Sequence, residues 1–551
     1  MTTELATDDQ TIMDNFPFDE ARPGQVRSIK YILESFNKGK KVVILEAPCG
    51  AGKSAIGITI AKYFESSYYL TIQKILQDQL MGEFGETGKY GQFLVDLKGR
   101  SNYECPYYKL KADEMLRKRV ITLQQYQEYQ GYHSCADGHC RKANKYKYDE
   151  CIDGSLCPYY NQVGKAVAST ACLMNFAGFL SQTNYIADRF IKRRLMIIDE
   201  GHNIETQLLS FISLTLDKAD FPEFQFPDFD TPEEYAEWLV EQQIMLLIET
   251  KKQRAEFARD PKRVDELEAL KSKVGFFVKT MTTPDHDRWI VERISDRVGN
   301  RLIFKPVYVR QQALEYLFDY ADHILIMSAT ILNVNVMIRA LGVDKNNVAA
   351  MRLGSNFPKE NRPIIYRPAA KITGGPQQQH VWGPAVIEAV EKICRDHDGQ
   401  KGIIHTHNFK IAEMLIQDCD HDVARRMLFQ KNFKNKTEML EVHTNAVDSI
   451  LVAPAMHEGL DLRNDLSRFQ VICKIPFPNF FDDKQLAARK DDDEEFYSWL
   501  TALKLVQSVG RSVRSESDWA TTYIIDSSFK WWMEENEKML PKWFLEAVVF
   551  E

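Results

Sequence analysis

The stretch VVILEAPCGAGKSAIG, residues 42–57, constrains this 551-residue chain more than any other. An apolar strand-like run enters a loop with glycines at 50 and 52 and leaves it through a helix start near Lys53. Gly50 and Gly52 let the backbone turn tightly enough for several N–H groups to face one phosphate, and the helix adds the positive end of its dipole. In such a loop Lys53 reaches the β and γ phosphates of a nucleotide such as ATP, and the Ser54 hydroxyl ligates Mg2+. Ala47 stands where the strict pattern has its first glycine. Alone, these residues could form a Gly-rich turn with no ligand; a strand before and a helix after make a nucleotide site the better reading.

Strand-like runs followed by helical patterns recur at KVVILEAP, SSYYLTIQ, RRLMIIDE, HILIMSAT, KGIIHTH, SILVAPA, RFQVICKIP and ATTYIIDSS. That alternation predicts α/β domains with parallel sheets, and the runs suffice for two sheets. Length agrees, since 551 residues exceed one ordinary core and predict two to four domains. With 44% hydrophobic and 27% charged residues the composition is that of a soluble globular chain. The opening MTTELATDDQ has no signal-peptide pattern, and no uncharged apolar run approaches the roughly 18 residues of a membrane span. A cytoplasmic protein with no membrane partner is therefore expected. The net charge of −8 decides nothing about nucleic acid, because basic patches act locally.

A nucleotide site needs an acidic half at the end of another strand, and LMIIDEGH at 195–202 supplies it. Asp199 can hold Mg2+ through water and Glu200 can polarise the attacking water as base. An isolated Asp-Glu pair is usually a solvated turn; the apolar run before it and the phosphate loop upstream favour the catalytic reading.

Two segments break the strand–helix alternation. About 98–165 is rich in Cys, Tyr and Lys, and about 206–305 carries helix starts in place of strands. There, Thr231, Pro232 and Glu234 form a capping-box pattern, and Asp260 followed by Pro261 repeats the cap-then-proline signal. The acidic run at 491–495 is expected to be a solvated helix start ahead of FYSWLTALKLVQSV. His405 and His407 in HTHN are read as core or DNA-facing groups in preference to a metal pair, and the aromatics of WWMEENEKMLPKWF as packing against the second domain.

With these residues in view, the chain resembles the XPD/DinG family of iron–sulfur DNA helicases in superfamily two. DEGH looks like the DEAH box, with Gly201 in place of the more usual alanine. FPFDEARPGQ at 16–25 resembles the Q motif, which implies that Gln25 reads adenine with Arg22 beside it. YYLTIQKILQDQL is similar to motif Ia, MSAT at 327–330 to motif III, and HEGLDL at 457–462 to motif V, which implies nucleotide contacts from Gly459 and Asp461. KIPFPN resembles a family hallmark, and QSVGRSVR at 507–514 matches motif VI, implying roles for Gln507, Arg511 and Arg514. DSSF at 526–529 departs from the family pattern and leaves one expected arginine unaccounted for. The motifs follow the family's order over nearly the whole chain.

The resemblance implies two RecA-like parallel-sheet motor domains, residues 1–97, 166–205 and 306–340 forming the first and 341–551 the second. An iron–sulfur domain, 98–165, and a helical arch-like domain, 206–305, are inserted in the first. For the cysteines it implies a 4Fe-4S cluster on Cys105, Cys140, Cys151 and Cys157, with Cys135 as the reserve candidate for the position given to Cys140. Thiols alone leave zinc open as the metal. Cys172, Cys394, Cys419 and Cys473 lie in periodic apolar contexts and read as packing residues.

Between Lys98 and Tyr148 eleven Lys/Arg face five Asp/Glu, with eight tyrosines interleaved, a composition suited to single-stranded DNA or else to a plain solvated face. The expected activity is that of an ATP-dependent helicase, a monomeric motor on single-stranded and forked DNA, with 5′ to 3′ polarity implied by the resemblance alone. As arginine fingers, Arg511 and Arg514 would couple hydrolysis to closure of two lobes. An ATP-gated DNA-binding or remodelling protein without processive unwinding is the rival.

Overall fold

The computed structural model describes residues 4–551 except Cys49, Gln73, 86–92, 127–133, 139–156, 185–188, Asp285, 296–298, Asn356, 373–377, 455–461 and 481–482. Two seven-stranded sheets organise it. The first runs, neighbour to neighbour, Val348–Arg352, Val42–Glu46, Ala321–Ser328, Arg193–Ile198, Ser67–Thr71, Ala171–Asn175 and Leu94–Leu97, all parallel. The second runs Met427–Phe429, Ile450–Ala453, Gly402–His405, Phe469–Ile472, Thr521–Asp526, Ile364–Ala370 and Val548–Phe550, again all parallel. Central strands such as Val42–Glu46 and Ile450–Ala453 are buried at every position, as helices on both faces of a parallel sheet require. The apolar runs of the sequence become these strands, and two RecA-like lobes result.

Strand order explains why motifs far apart in sequence meet. Ala321–Ser328 lies between Val42–Glu46 and Arg193–Ile198, so the phosphate loop, MSAT and DEGH leave the sheet side by side at its carboxyl end. The long excursion between Arg193–Ile198 and Ala321–Ser328 departs and returns through two paired strands.

Two expected features need correction. The first sheet does not end at residue 340, because Val348–Arg352 pairs in parallel with Val42–Glu46 and adds its outermost strand. That edge strand is only half-buried and carries no strong apolar run, so its sequence gave little signal. The insertion at 206–305 is also not purely helical. Leu214–Asp217, Asn300–Pro306 and Trp289–Ser295 make a three-stranded antiparallel sheet beside the helices Pro232–Glu241, Ile244–Phe257 and Pro261–Met281. Its short strands bury alternate residues, a pattern weaker than the buried runs of the main sheets.

The helix caps in this insertion form as read. The Thr231 hydroxyl accepts from Glu234 N while the Glu234 carboxylate accepts from Thr231 N at 2.9 Å, and Asp260 accepts from Arg263 N at 3.0 Å. Asp493 likewise caps the helix Glu494–Val509. The acidic run around it is not merely solvated, however. Asp493 and Glu495 pair with Arg339 at 3.2 and 2.7 Å, and Asp492 pairs with Arg288 at 3.1 Å, so the run docks the second lobe onto the first. Near the carboxyl end Trp532 and Phe544 are buried as expected, but Trp531 is exposed. Among the described residues no helix is long and apolar enough to cross a membrane.

Candidate functional site

The phosphate loop follows the strand Val42–Glu46 and ends in the helix Lys53–Lys62. Gly50 and Gly52 adopt φ of +79° and +75°, the left-handed region in which a side chain is strained. Space forbids one as well: a Cβ on Gly52 would lie 2.2 Å from the Gln25 amide nitrogen. Ala47 is buried, and its φ is not among the positive ones, so its methyl fits where the strict motif has glycine. The Lys53 ammonium lies 3.4 Å from Ala47 O, folded back over the loop.

Arg22 and Gln25 brace this loop from outside. Arg22 donates to Gly50 O at 2.6 Å, and the buried Gln25 amide donates to Gly52 O at 3.1 Å while accepting from Arg22 N. Both residues expected at an adenine are therefore held against the turn that a phosphate would enter.

Asp199 and Glu200 leave the strand Arg193–Ile198, Glu200 with a positive φ of 53°. Such a backbone costs on the order of 1 kcal/mol for a residue other than glycine, and it turns the chain sharply at the acidic pair. Burial pushes the Asp199 carboxyl up to about 6; the Glu200 charge adds to the rise and Lys53 opposes it. Two adjacent carboxylates thus face one lysine across the cleft. The following Gly201 has its own reason, because a Cβ there would sit 2.1 Å from Ile326 Cγ2. The departure from the usual alanine is thus matched by the bulky neighbour on the next strand.

His202, to which sequence reasoning gave no role, joins the two lobes. Its Nδ1 lies 2.7 Å from Ser328 Oγ, and its Nε2 lies 2.6 Å from the Gln507 amide and 2.8 Å from that of Asn203. With both amides donating, Nε2 accepts and Nδ1–H donates to Ser328. Gln507 also donates to Thr330 Oγ1 at 3.2 Å. DEGH and MSAT of the first lobe and QSVGRSVR of the second are thus wired through one imidazole. The available signal was the fourth residue of DEGH itself.

The phosphate loop, Asp199, Glu200, His202, Asn203, Thr330 and Gln507 line one cleft of about 1580 Å3. Arg22, Gln25, Gly50, Gly52, Lys53, Ser54, Asp199 and Glu200 face Gln507, Arg511 and Arg514 across it. Gly459 and Asp461 lie outside the described residues, although the neighbouring Arg463 and Asn464 line the same cleft. Asp526 of the divergent DSSF is buried and accepts from Ile475 N and Ser528 N, both at 2.9 Å, so it ties KIPFPN to the neighbouring strand. The rings of His405 and His407 stack 5.9 Å apart, with His405 buried.

The cysteine segment is organised differently. Cys105 and Cys157 each precede a Pro-Tyr-Tyr helix start, Pro106–Arg117 and Pro158–Ala168, and stand at the N-cap position. Cys135, expected only as the reserve, lies with its Sγ 3.9 Å from Cys157 Sγ. Cys140 and Cys151 lie outside the described residues. The hydrogen bond from Cys135 is the main cause that lowers the Cys157 thiol to about 6, and the same bond raises Cys135. Cys105, Cys135 and Cys157 are buried and free of disulfides, as are Cys172, Cys394, Cys419 and Cys473. Among the described residues no three His, Cys, Asp or Glu side chains are grouped to hold an ion. Some of the basic and aromatic residues expected to meet DNA are otherwise engaged: Lys98 pairs with Asp78 and Asp96, Lys109 with Glu104, and Tyr108 belongs to the core.

Two families match the chain, "Type III restriction enzyme, res subunit" over residues 19–221 and "Helicase C-terminal domain" over 390–547. It is 29% identical over 96 residues to the ATP-dependent DNA helicase CHL1 of Eremothecium gossypii, covering 14% of this chain and 12% of that protein. To a probable ATP-dependent helicase of Methanocaldococcus jannaschii it is 26% identical over 267 residues, covering 43% and 39%. The chain thus spans well under half the length of these curated relatives. An XPD helicase structure superposes with a TM-score of 0.64 at 13% identity, over 97% of this chain and all of that one. Fold and cleft define a two-lobed protein whose Gly-rich loop faces the second lobe across one cleft. Within that class, the fold of the chain is similar to that of the XPD helicase structure.

Proposed function

We propose that the protein is an ATP-dependent DNA helicase that moves on single-stranded DNA and separates duplexes at forks. The observation that carries this reading is the His202–Gln507 contact at 2.6 Å, with Arg511 and Arg514 facing Lys53, Asp199 and Glu200 across the cleft. ATP enters as substrate. Ser54 and Asp199 would hold Mg2+, which would supply charge neutralisation at the phosphates. Glu200 orients and deprotonates the attacking water, while Lys53 and the two arginines stabilise the phosphoryl oxygens, each finger being worth on the order of 10³ to 10⁵ in rate. Because the fingers belong to the other lobe, hydrolysis is tied to closure, and alternate gripping of a strand turns closure into movement. Both halves of the site belong to one chain, which supports a monomeric motor, and a cytoplasmic location goes with the same reading. The 5′ to 3′ direction rests on family resemblance.

The cysteine segment fits a thiolate-held group, since three buried cysteines carry no disulfide and two of them cap helices. Cys105, Cys151 and Cys157, completed by Cys135 or Cys140, would hold a 4Fe-4S cluster, which would supply the cross-link that a small segment cannot get from its own core.

Strand displacement on a forked duplex tests the reading. The parent should release product with ATP, and Lys53→Ala should lose ATP turnover on the order of 10²-fold or more. DNA-stimulated turnover without displaced strand would favour the remodelling alternative instead.

A further inference from the structure

Among the described residues, the largest fully buried side chain is a cation. Arg489, on the second-lobe helix Lys484–Asp492, is wholly inaccessible, and its Nε, Nη1 and Nη2 have no hydrogen-bond partner. Its guanidinium carbon lies 4.1 Å from the centre of the Tyr308 ring and 4.4 Å from that of Phe496. Its nearest anion is Glu205 Oε1 of the first lobe at 3.7 Å, an oxygen that is itself buried without a hydrogen bond. The joint continues outward, where the Tyr308 hydroxyl donates to Asp492 at 2.6 Å and Arg310 lies over the same ring at 3.9 Å.

Such an arrangement is poor at stabilising a fold. Desolvating both ions costs several kcal/mol each, and apolar replacements of similar size are often neutral or better. Its placement is what distinguishes it. Glu205 lies in the first turn of the helix Ile204–Ile212, which begins directly after DEGH, and Arg489 belongs to the opposite lobe. The pair approaches without the geometry of a hydrogen bond, so a small movement of the lobes would either close it into one or part it. Burial pushes the Glu205 carboxyl up to about 7, and Arg489 is the main group opposing that rise. The carboxylate therefore responds strongly to where the arginine stands.

We infer that Arg489 is a positioning residue for hydrolysis: acting through Glu205, it sets the start of the helix behind the acidic motif, and with it Glu200, according to the position of the second lobe. The inference rests on the reading of the cleft as an ATPase. It makes the buried joint a further link between the lobes, separate from the contact between His202 and Gln507 and from the pairing of the acidic run with Arg288 and Arg339.

The test compares the parent with the double variant Glu205→Leu/Arg489→Met, which removes both buried charges and should melt at or above the parental temperature. It should bind one Mg–ATP per chain with KM within about twofold of the parent and turn over roughly tenfold more slowly, as expected when an interaction made only on the way to the transition state is lost. Parental kcat per bound nucleotide in the folded double variant would overturn the inference. Should that variant not fold, Arg489→Lys keeps a charge beside Glu205 without the planar stack. An intermediate fall in kcat at unchanged KM then supports the joint, and parental kcat overturns it. A parent that binds Mg–ATP without hydrolysing it would instead sink the reading of the cleft.

Discussion

The cleft opens at the carboxyl end of the first sheet and the cysteine segment is an excursion from that same sheet, yet they respond differently to being read from sequence. In the cleft, eleven residues expected at a nucleotide line a single cavity. In the cysteine segment the pair at 3.9 Å includes Cys135, which had been ranked behind Cys140. The difference is one of framing. Motif residues at the carboxyl ends of parallel strands are placed by strand order, which is fixed by long buried runs. Cysteines on short helices and a turn are placed by how those pieces dock, and spacing does not encode docking.

The strongest way to break this comparison is to remove a finger. Arg511→Ala should lower DNA-stimulated ATP turnover on the order of 10³-fold or more while leaving the melting temperature near the parent's. Steady-state hydrolysis beside a thermal melt measures both. A finger that proves dispensable would mean that strand-end geometry places residues without giving them work.

Asp199→Asn probes the same cleft by charge. In the nucleotide-free protein the folded carboxyl, at about 6, lies above its ordinary 3.8. The folded state therefore binds the proton more tightly than the unfolded chain. Ionisation costs stability above about pH 6, and the cost fades as pH falls toward 3.8. The asparagine variant should thus be the more stable protein at pH 8, by up to about 3 kcal/mol, and should lose that advantage near pH 4. Parental affinity for Mg–ATP should move the opposite way, weakening as pH drops below about 6 because the cation needs the carboxylate ionised. Denaturant melts and nucleotide titrations across pH check the two halves separately.

The cysteine segment is sharpened by Cys135→Ser against Cys172→Ser. Outer contacts of metal ligands are worth 10–100-fold in affinity, so loss of a ligand should cost about a hundredfold at least. Iron content and visible absorption after anaerobic purification should fall in the first variant and hold in the second, whose thiol is buried within a strand of the first sheet. Equal retention in both would return the fourth position to Cys140.

What was legible follows the same division. The capping box at Thr231 and the caps at Asp260 and Asp493 could be read because each depends on residues three apart. The strand Val348–Arg352 could not, because an edge strand half-open to water needs no apolar run. The role of the acidic run was half legible. Its cap is local, whereas its pairing with Arg288 and Arg339 joins residues more than 150 positions apart. Tyr108 of the cysteine segment shows a related limit, since composition cannot tell a stacking ring from a core ring.

Gly201 carries the smallest expected effect and tests the framing most directly, because a residue that departs from its family pattern is explained here by one contact. A methyl at this position would approach Ile326 Cγ2 to 2.1 Å, and Ile326 is buried in a central strand of the sheet. The backbone must shift or the isoleucine must leave its rotamer, at a cost of about 1–3 kcal/mol. Gly201→Ala should therefore lower the denaturation midpoint, and it should slow hydrolysis as well, since the displaced backbone adjoins Glu200 and His202. Ile326→Ala alone should also destabilise, through the cavity it leaves. If the clash is the cause, the double variant will be more stable than the sum of the two losses by about 1 kcal/mol or more, because the alanine methyl then occupies space the isoleucine has vacated. Additive losses would mean that the glycine is required by its own backbone, and that strand neighbours do not dictate the sequence of the acidic motif.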